Sequence, residues 1–158
     1  MLEIKLAGIN NLDTIVELLN KVTLHLHENG INQWTYPCNS SEIQMDIEKG
    51  NIYVLLIDDL IVGTFSLKDI KDFDFFSMEP NSKYLYRIAI LPEYQGKKLG
   101  MEIVNYACGY SRNLKSALYL DCFAGNKKLR NFYSDAGFDF MGDFPEEDYM
   151  VSVFKYKN

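Results

Sequence analysis

The chain has 158 residues, the size of one domain and enough for a substantial core. Hydrophobic residues make up 47% and charged residues 24%, and the net charge of −6 (pI near 4.9) weighs against a general nucleic-acid or acidic-membrane surface, since both need a basic face. Cys38, Cys108 and Cys122 are odd in number and share no close metal-ligand spacing, which argues against a disulfide framework or a zinc knuckle. No signal peptide is visible, and the apolar runs fall far short of the roughly 20 residues of a membrane span, so the expectation is one reduced, cytoplasmic domain over residues 1–158 without metal.

The alternation of LEIKL (2–6) predicts a half-buried strand. Leu12, Ile15, Val16, Leu19, Val22 and Leu26 then fall at helical spacing, with Asn10 as N-cap, Asp13 in the first turn and Gly30 as the stop. A short helix over about 40–49 ends at Gly50. NIYVLLI and LIVGTFSL read as an antiparallel hairpin joined across Asp58-Asp59. Residues 69–82 have no clear period and read as a long loop. KYLYRIAIL (83–91) is a strand ended by Pro92, followed by a helix from about Lys98 to Arg112 with Leu99, Ile103, Val104 and Ala107 on its inner side. ALYLDCF (117–123) is a strand, NKKLRNFYSDA (126–136) a helix ended by Gly137, and FDFMGDF and YMVSVFKY close the chain as two strands around a polar turn at 145–148. The order β-α-α-β-β-β-α-β-α-β-β predicts an α/β fold of the α+β kind: a mixed, mostly antiparallel sheet of about seven strands with helices on both faces.

The stretch YQGKKLG (94–100) sits between a strand and a helix. It fails the ATP-loop pattern, because Gly96 is followed by two lysines with no Ser/Thr, and no glycine stands five residues before it. It also fails the dinucleotide pattern, since only Gly96 and Gly100 fall in the turn. What remains is a turn whose helix-start amides have no internal partners and form a positive dipole end, a place suited to phosphate. A plain structural turn is the alternative.

The stretch from Leu85 to Phe138 resembles the core of the GNAT superfamily of acetyl-CoA-dependent N-acetyltransferases. That family's pyrophosphate loop has the form [Gln/Arg]-x-x-Gly-x-[Gly/Ala]. Gln95, Leu99 and Gly100 match it, Gly96 matches a glycine frequent at the second position, and Lys98 stands where the middle glycine is usual. Roughly thirty residues on, Asn126, Phe132, Tyr133, Gly137 and Phe138 match the second signature of a strand, Asn, a short helix with an aromatic pair, then Gly-Phe. The upstream order of elements fits too, so the resemblance covers nearly the whole chain.

The resemblance implies that acetyl-CoA is the co-substrate, lying in a cleft opened between strands 83–91 and 117–123. Backbone groups of Ile88, Ala89 and Ile90 would meet the pantetheine arm, and Gln95, Gly96, Lys97, Lys98, Leu99 and Gly100 would wrap the pyrophosphate. Asn126 would contact the cofactor through its amide or serve as a helix N-cap. Tyr133, at i+7 from Asn126, would protonate the departing thiolate or else be a buried aromatic. The acceptor side would come mainly from residues 1–82 and the acetyl-CoA side mainly from 83–138. Trp34 and Tyr36, together with the Phe73, Phe75, Phe76 and Met78 segment, are candidate acceptor walls or satellite core. Asp121, Glu93 and Asp148 are candidate bases, and Asp121 is also a candidate acceptor contact.

Cys122 lacks a neighbouring base for covalent catalysis. His25 and His27 lack the i, i+4 spacing of a metal pair. The expected function is direct acetyl transfer to a primary amine of a small molecule, with no nucleic-acid or membrane partner and compatibly with a homodimer. A non-catalytic acyl-CoA-binding module and a protein or peptide acceptor are the alternatives.

Overall fold

The computed structural model describes residues 1–31, 34–70, 82–146 and 149–156. Among the described residues there are seven strands: β1 (Leu2–Leu6), β2 (Ile52–Ile57), β3 (Leu60–Asp69), β4 (Lys83–Ile90), β5 (Leu118–Phe123), β6 (Asp139–Glu146) and β7 (Tyr149–Tyr156). Four α-helices accompany them: α1 (Leu12–Glu28), α2 (Ser40–Glu48), α3 (Leu99–Asn113) and α4 (Lys127–Asp135). The sheet order is β1-β2-β3-β4-β5-β7-β6, with β4 and β5 parallel and β1–β2, β2–β3, β5–β7 and β7–β6 antiparallel. Element order and sheet class follow the sequence expectation.

The chain divides into two compact units, Met1–Ser66 with Arg87–Gly100, and Leu67–Tyr86 with Met101–Asn158. In the first unit the apolar stripe of α1 (Ile15, Leu18, Leu19, Val22) buries itself with Ile43 and Ile47 of α2 and with Ile52, Val54 and Ala89 of the strands. Each such side chain contributes about 1.5–3 kcal/mol on burial. Asn10 is not the cap of α1. A 3-10 turn occupies Ile9–Asn11 and makes Asn11 the N-cap residue, but its side chain does not cap α1: its Oδ1 accepts from the Gly8 amide at 2.9 Å, within the turn. Asn39 caps α2 by accepting from the amides of Ser41 and Glu42. The β2–β3 turn places Asp58 and Asp59 at φ 50° and 68°, the two left-handed residues of a tight hairpin turn.

In the second unit β5 is buried along Leu118, Tyr119, Leu120 and Cys122, paired with β4 from Lys83–Leu118 to Leu85–Leu120 and with β7 along its whole length. Strand β3 runs further than the sequence pattern suggests, to Asp69, and the Ile70 amide bonds the Ser82 carbonyl at 3.0 Å. Leu99, Ile103, Val104 and Ala107 of α3 are buried as their spacing predicts. Among the described residues no helix is long and apolar enough to cross a membrane.

Candidate active site

The end of β4 and the turn after it belong to the first unit. Gly63 of β3 lies so close to β4 that a Cβ there would stand 3.1 Å from the Ala89 carbonyl oxygen, so the small residue sets the approach of the two strands. Ala89 is buried, while Ile88 and Ile90 are only partly so. Arg87, just before them, has a left-handed φ of 51° inside a strand and donates from Nη1 to Asp46 of α2 at 2.9 Å. The Leu91 amide bonds the Val62 carbonyl at 2.9 Å, and a 3-10 turn at Pro92–Tyr94 then swings the chain away from the sheet.

Gln95 through Lys98 are exposed. Gly96 has φ 79° and Lys98 φ 63°, so the position that departs from the expected glycine keeps a glycine-like backbone. The Gln95 side-chain amide donates to the Ile90 carbonyl at 3.0 Å, which fixes the turn to the strand and occupies one of the two acceptor sites of that carbonyl. Lys97 Nζ lies 5.4 Å from the centre of the Tyr94 ring. Leu99 is buried, and α3 starts there with Gly100 next, where the first amides of a helix lack intrahelical partners. An exposed turn with two lysines entering a helix start can hold an anionic group.

The first candidate acceptor wall lies in the same unit. Trp34 packs partly buried against the α1–α2 core, and its carbonyl accepts from His27 Nε2 at 2.8 Å. Tyr36 is 48% exposed, so of the two only the tyrosine offers its ring to solvent. Phe75, with Phe73, Phe76 and Met78, lies outside the described residues, as does Asp148. Glu93 is exposed on the 3-10 turn.

In the second unit Asn126 is the N-cap of α4: its Oδ1 accepts from the Leu129 amide at 3.1 Å. The cap uses the oxygen, and the amide nitrogen remains a donor, so both readings of this residue are compatible. Tyr133 is buried, with its ring 5.3, 6.0 and 5.8 Å from the centres of Phe132, Phe138 and Phe154. Its hydroxyl has no hydrogen-bond partner among the described residues, yet no buried polar side-chain atom there is left unsatisfied, so the hydroxyl lies at the small accessible part of the residue. Burial, then the charges of Cys122 and Asp121, raise the phenol well above its ordinary value, which keeps it protonated. A hollow of about 380 Å³ lies along the Lys127, Arg130, Asn131 and Ser134 face of α4, closed by Phe140 and Phe154.

On β5, side chains alternate between faces: Leu118, Leu120 and Cys122 on one, Tyr119, Asp121 and Phe123 on the other. Burial, with the Asp121 charge adding to it, pushes the Cys122 thiol up to about 12, the opposite of what a nucleophile needs. Asp121 accepts a hydrogen bond from the Tyr84 hydroxyl. Burial pushes the Asp121 carboxyl up to about 6, with Tyr84 and Lys68 pulling it back and Glu146 pushing it further. Lys68 Nζ lies over the Tyr84 and Tyr86 rings, 5.6 and 4.7 Å from their centres. Sequence reasoning picked out Asp121 but missed Tyr84 and Lys68, because only the β4–β5 register, Tyr84 opposite Tyr119, reveals that the tyrosine stands beside the carboxylate. Among the described residues no group of His, Cys, Asp and Glu could hold a metal ion.

Comparison with known proteins adds to this geometry. Residues 15–138 match the model of the acetyltransferase (GNAT) family. The chain is similar to an uncharacterized N-acetyltransferase, YesJ, of Bacillus subtilis, with 27% identity over 139 residues that span 82% of this chain and 77% of that protein. In three dimensions it is similar to a GNAT-family acetyltransferase of Streptococcus agalactiae, with a TM-score of 0.81, 20% identity and coverage of 99% of this chain and 95% of the other. It is also similar to the PaiA N-acetyltransferase of Thermoplasma acidophilum solved in complex with coenzyme A, with a TM-score of 0.75, 18% identity and coverage of 99% of both chains. The protein belongs to the GNAT family and is an N-acetyltransferase.

Proposed function

We propose that this acetyltransferase carries the acetyl group of acetyl-CoA directly to a primary amine of a small molecule. The observation that carries this reading is the turn at Gln95–Gly100: exposed, shaped by two left-handed residues, pinned to β4 by Gln95 and leading into the start of α3. Its amides and the Lys97 and Lys98 ammonium groups suit the pyrophosphate of a CoA thioester. The backbone of Ile88, Ala89 and Ile90 would meet the pantetheine arm, and the Asn126 amide nitrogen would donate to it. Tyr133 offers a protonated phenol for the thiolate that departs. The buried, raised thiol of Cys122 speaks against an acetyl-enzyme intermediate, which favours direct transfer.

The test is twofold. CoA should raise the Tm of the protein, and acetyl-CoA with a panel of small primary amines should release thiol. No stabilisation by CoA overturns the reading. Stabilisation without thiol release from any amine or peptide favours a binding module, and thiol release with peptides alone makes the acceptor a protein amine.

A further inference from the structure

One side of α4 overlooks a hollow that acetyl transfer does not use. Lys127, Arg130, Asn131 and Ser134 recur at i, i+3, i+4 and i+7, so they form a single face of the helix. Asn126 and Tyr133 lie roughly a quarter-turn away on the same helix. Beneath the polar face, the register of β5, β7 and β6 sets Leu120, Phe154 and Phe140 in one row across the sheet. Phe154 is buried, while Phe140, on the edge strand β6, is 48% exposed. The hollow of about 380 Å³ opens between that aromatic floor and the polar face, on the β6 side of α4 and away from β4. Its volume falls within the range of small-molecule pockets.

A polar stripe on a surface helix is ordinarily its solvated side. This one differs in the setting of its cations. Arg130 is half-buried, with its guanidinium carbon 5.2 Å from the centre of the Phe140 ring. Asp143, on the same face of β6 as Phe140, accepts from the Ser152 hydroxyl at 2.5 Å rather than pairing with that guanidinium. Among the described residues, no hydrogen bond or ion pair holds the side chain of Lys127, Arg130, Asn131 or Ser134. On a chain whose net charge is −6, the hollow therefore gathers ammonium, guanidinium, amide and hydroxyl donors and no carboxylate.

We propose that this hollow is a second ligand site, separate from that for acetyl-CoA, and that it binds a small organic molecule in which a planar ring carries an oxyanion. The Arg130 fork takes the oxyanion through two parallel N–H···O bonds while its plane stays on Phe140. Lys127, one turn earlier on the helix, adds a second positive charge, and Asn131 and Ser134 supply further donors. The ligand ring rests on Phe140, with Phe154 behind it, and covers apolar surface that the fold leaves open at the β6 edge. A neutral ring gains only the aromatic contact and a simple anion only the charge, so the site selects both in one molecule. The site is independent of which amine accepts the acetyl group.

The experiment titrates the full chain at pH 7 and low salt by isothermal calorimetry, with 2-naphthoate and 2-naphthyl phosphate as probes. The controls are 2-naphthylmethanol, which has the ring without the charge, and acetate, which has the charge without the ring. At least one probe should bind saturably, one per chain, about tenfold or more tighter than either control, and should weaken as salt is added. The tighter of the two identifies the headgroup as carboxylate or phosphate. Arg130→Gln should weaken binding about tenfold or more and Phe140→Ala about threefold or more. Arg130→Lys should restore only part of the loss, because an ammonium lacks the fork. Ser134→Glu alters an exposed position, removes no packing and brings a carboxylate to the hollow, so it should also weaken binding while the circular dichroism stays that of the wild type. Saturating CoA should leave the titration unchanged. No saturable binding in the millimolar range, equal affinity for 2-naphthylmethanol, or unchanged affinity in both Arg130→Gln and Ser134→Glu would overturn the proposal. Displacement of the probe by CoA would give the hollow to the acetyl-CoA site, and binding that fades as protein concentration rises would give it to a second copy of the chain; either result also overturns it.

Discussion

The Gln95 side-chain amide donates to the Ile90 carbonyl at 3.0 Å, so the residue that opens the loop motif ties the turn to the strand behind it. Gln95→Ala frees an exposed turn that has few other anchors. The net value of one hydrogen bond is about 1 kcal/mol, or about fivefold in an equilibrium. Steady-state kinetics should therefore show KM for acetyl-CoA rising about fivefold with kcat little changed. A fall in kcat with unaltered KM would move Gln95 from holding the loop to the chemical step.

Lys98 occupies φ 63°, a backbone conformation that costs a non-glycine residue roughly 1–2 kcal/mol. Glycine removes that cost but loses about 0.5–1 kcal/mol through the freedom of the unfolded chain. Lys98→Gly should consequently leave stability within about 1 kcal/mol of the wild type, or raise it slightly. Lys98→Val, with a branched side chain, should lose about 1–2 kcal/mol more. Urea denaturation of the two variants distinguishes them, and equal stability would show that the turn relaxes out of its left-handed geometry.

Tyr133 has its ring packed among Phe132, Phe138 and Phe154, and its phenol is raised by burial first and by the Cys122 and Asp121 charges after it. Tyr133→Phe keeps the ring packing and removes only the hydroxyl. Turnover should fall by up to about 10²-fold while the melting temperature stays near that of the wild type, because general acid help to a thiolate sits at the low end of its range. An acid with a raised value stays protonated as pH rises, so wild-type kcat should show no loss attributable to Tyr133 below about pH 10. Unchanged turnover in the variant would leave Tyr133 a packing residue.

The element order and the buried faces of α1 and α3 were legible in the sequence because the period of apolar residues is a local signal. The choice between Asn10 and Asn11 was not, since two adjacent asparagines look alike in sequence and the 3-10 turn, not a side-chain cap, decides where α1 begins. The left-handed backbone at Lys98 was hidden for the opposite reason: lysine gives no hint of a conformation that glycine would have announced. Asn126 and Tyr133 could be placed on one helix face by spacing alone. The Tyr84–Asp121 pair could not be found that way, because it depends on the register of two strands whose residues lie far apart in the chain.

Cys122 stands in the middle of β5, opposite Ser152 of β7, and burial followed by the Asp121 charge pushes its thiol up to about 12. A thiol this far from ionisation supplies almost no thiolate at neutral pH. Cys122→Ala should retain most of the activity, lose about 1 kcal/mol of stability through the small cavity, and leave initial-rate patterns of the intersecting, sequential type. Parallel, ping-pong patterns abolished by the substitution would establish an acetyl-cysteine and overturn direct transfer.

Asp121 makes a demand on the fold that can be measured without any substrate. Burial raises its carboxyl from 3.8 to about 6, so the native chain binds this proton more tightly than the unfolded chain does. Its protonated form stabilises the native state fully below about pH 4, and that stability is lost as pH rises through about 6. At pH 7.5 the buried charge then costs about 1–3 kcal/mol. Asp121→Asn keeps an oxygen to accept from Tyr84 and never carries the charge. The variant should be more stable than the wild type at pH 7.5 by that amount, and the difference should vanish below about pH 4 in denaturation measured at both values. Gain of stability on losing the charge is what a desolvated carboxylate without a full counter-charge produces. A variant less stable at pH 7.5 would instead show that the Lys68 ammonium and the tyrosine rings need the negative charge to hold β3, β4 and β5 in place.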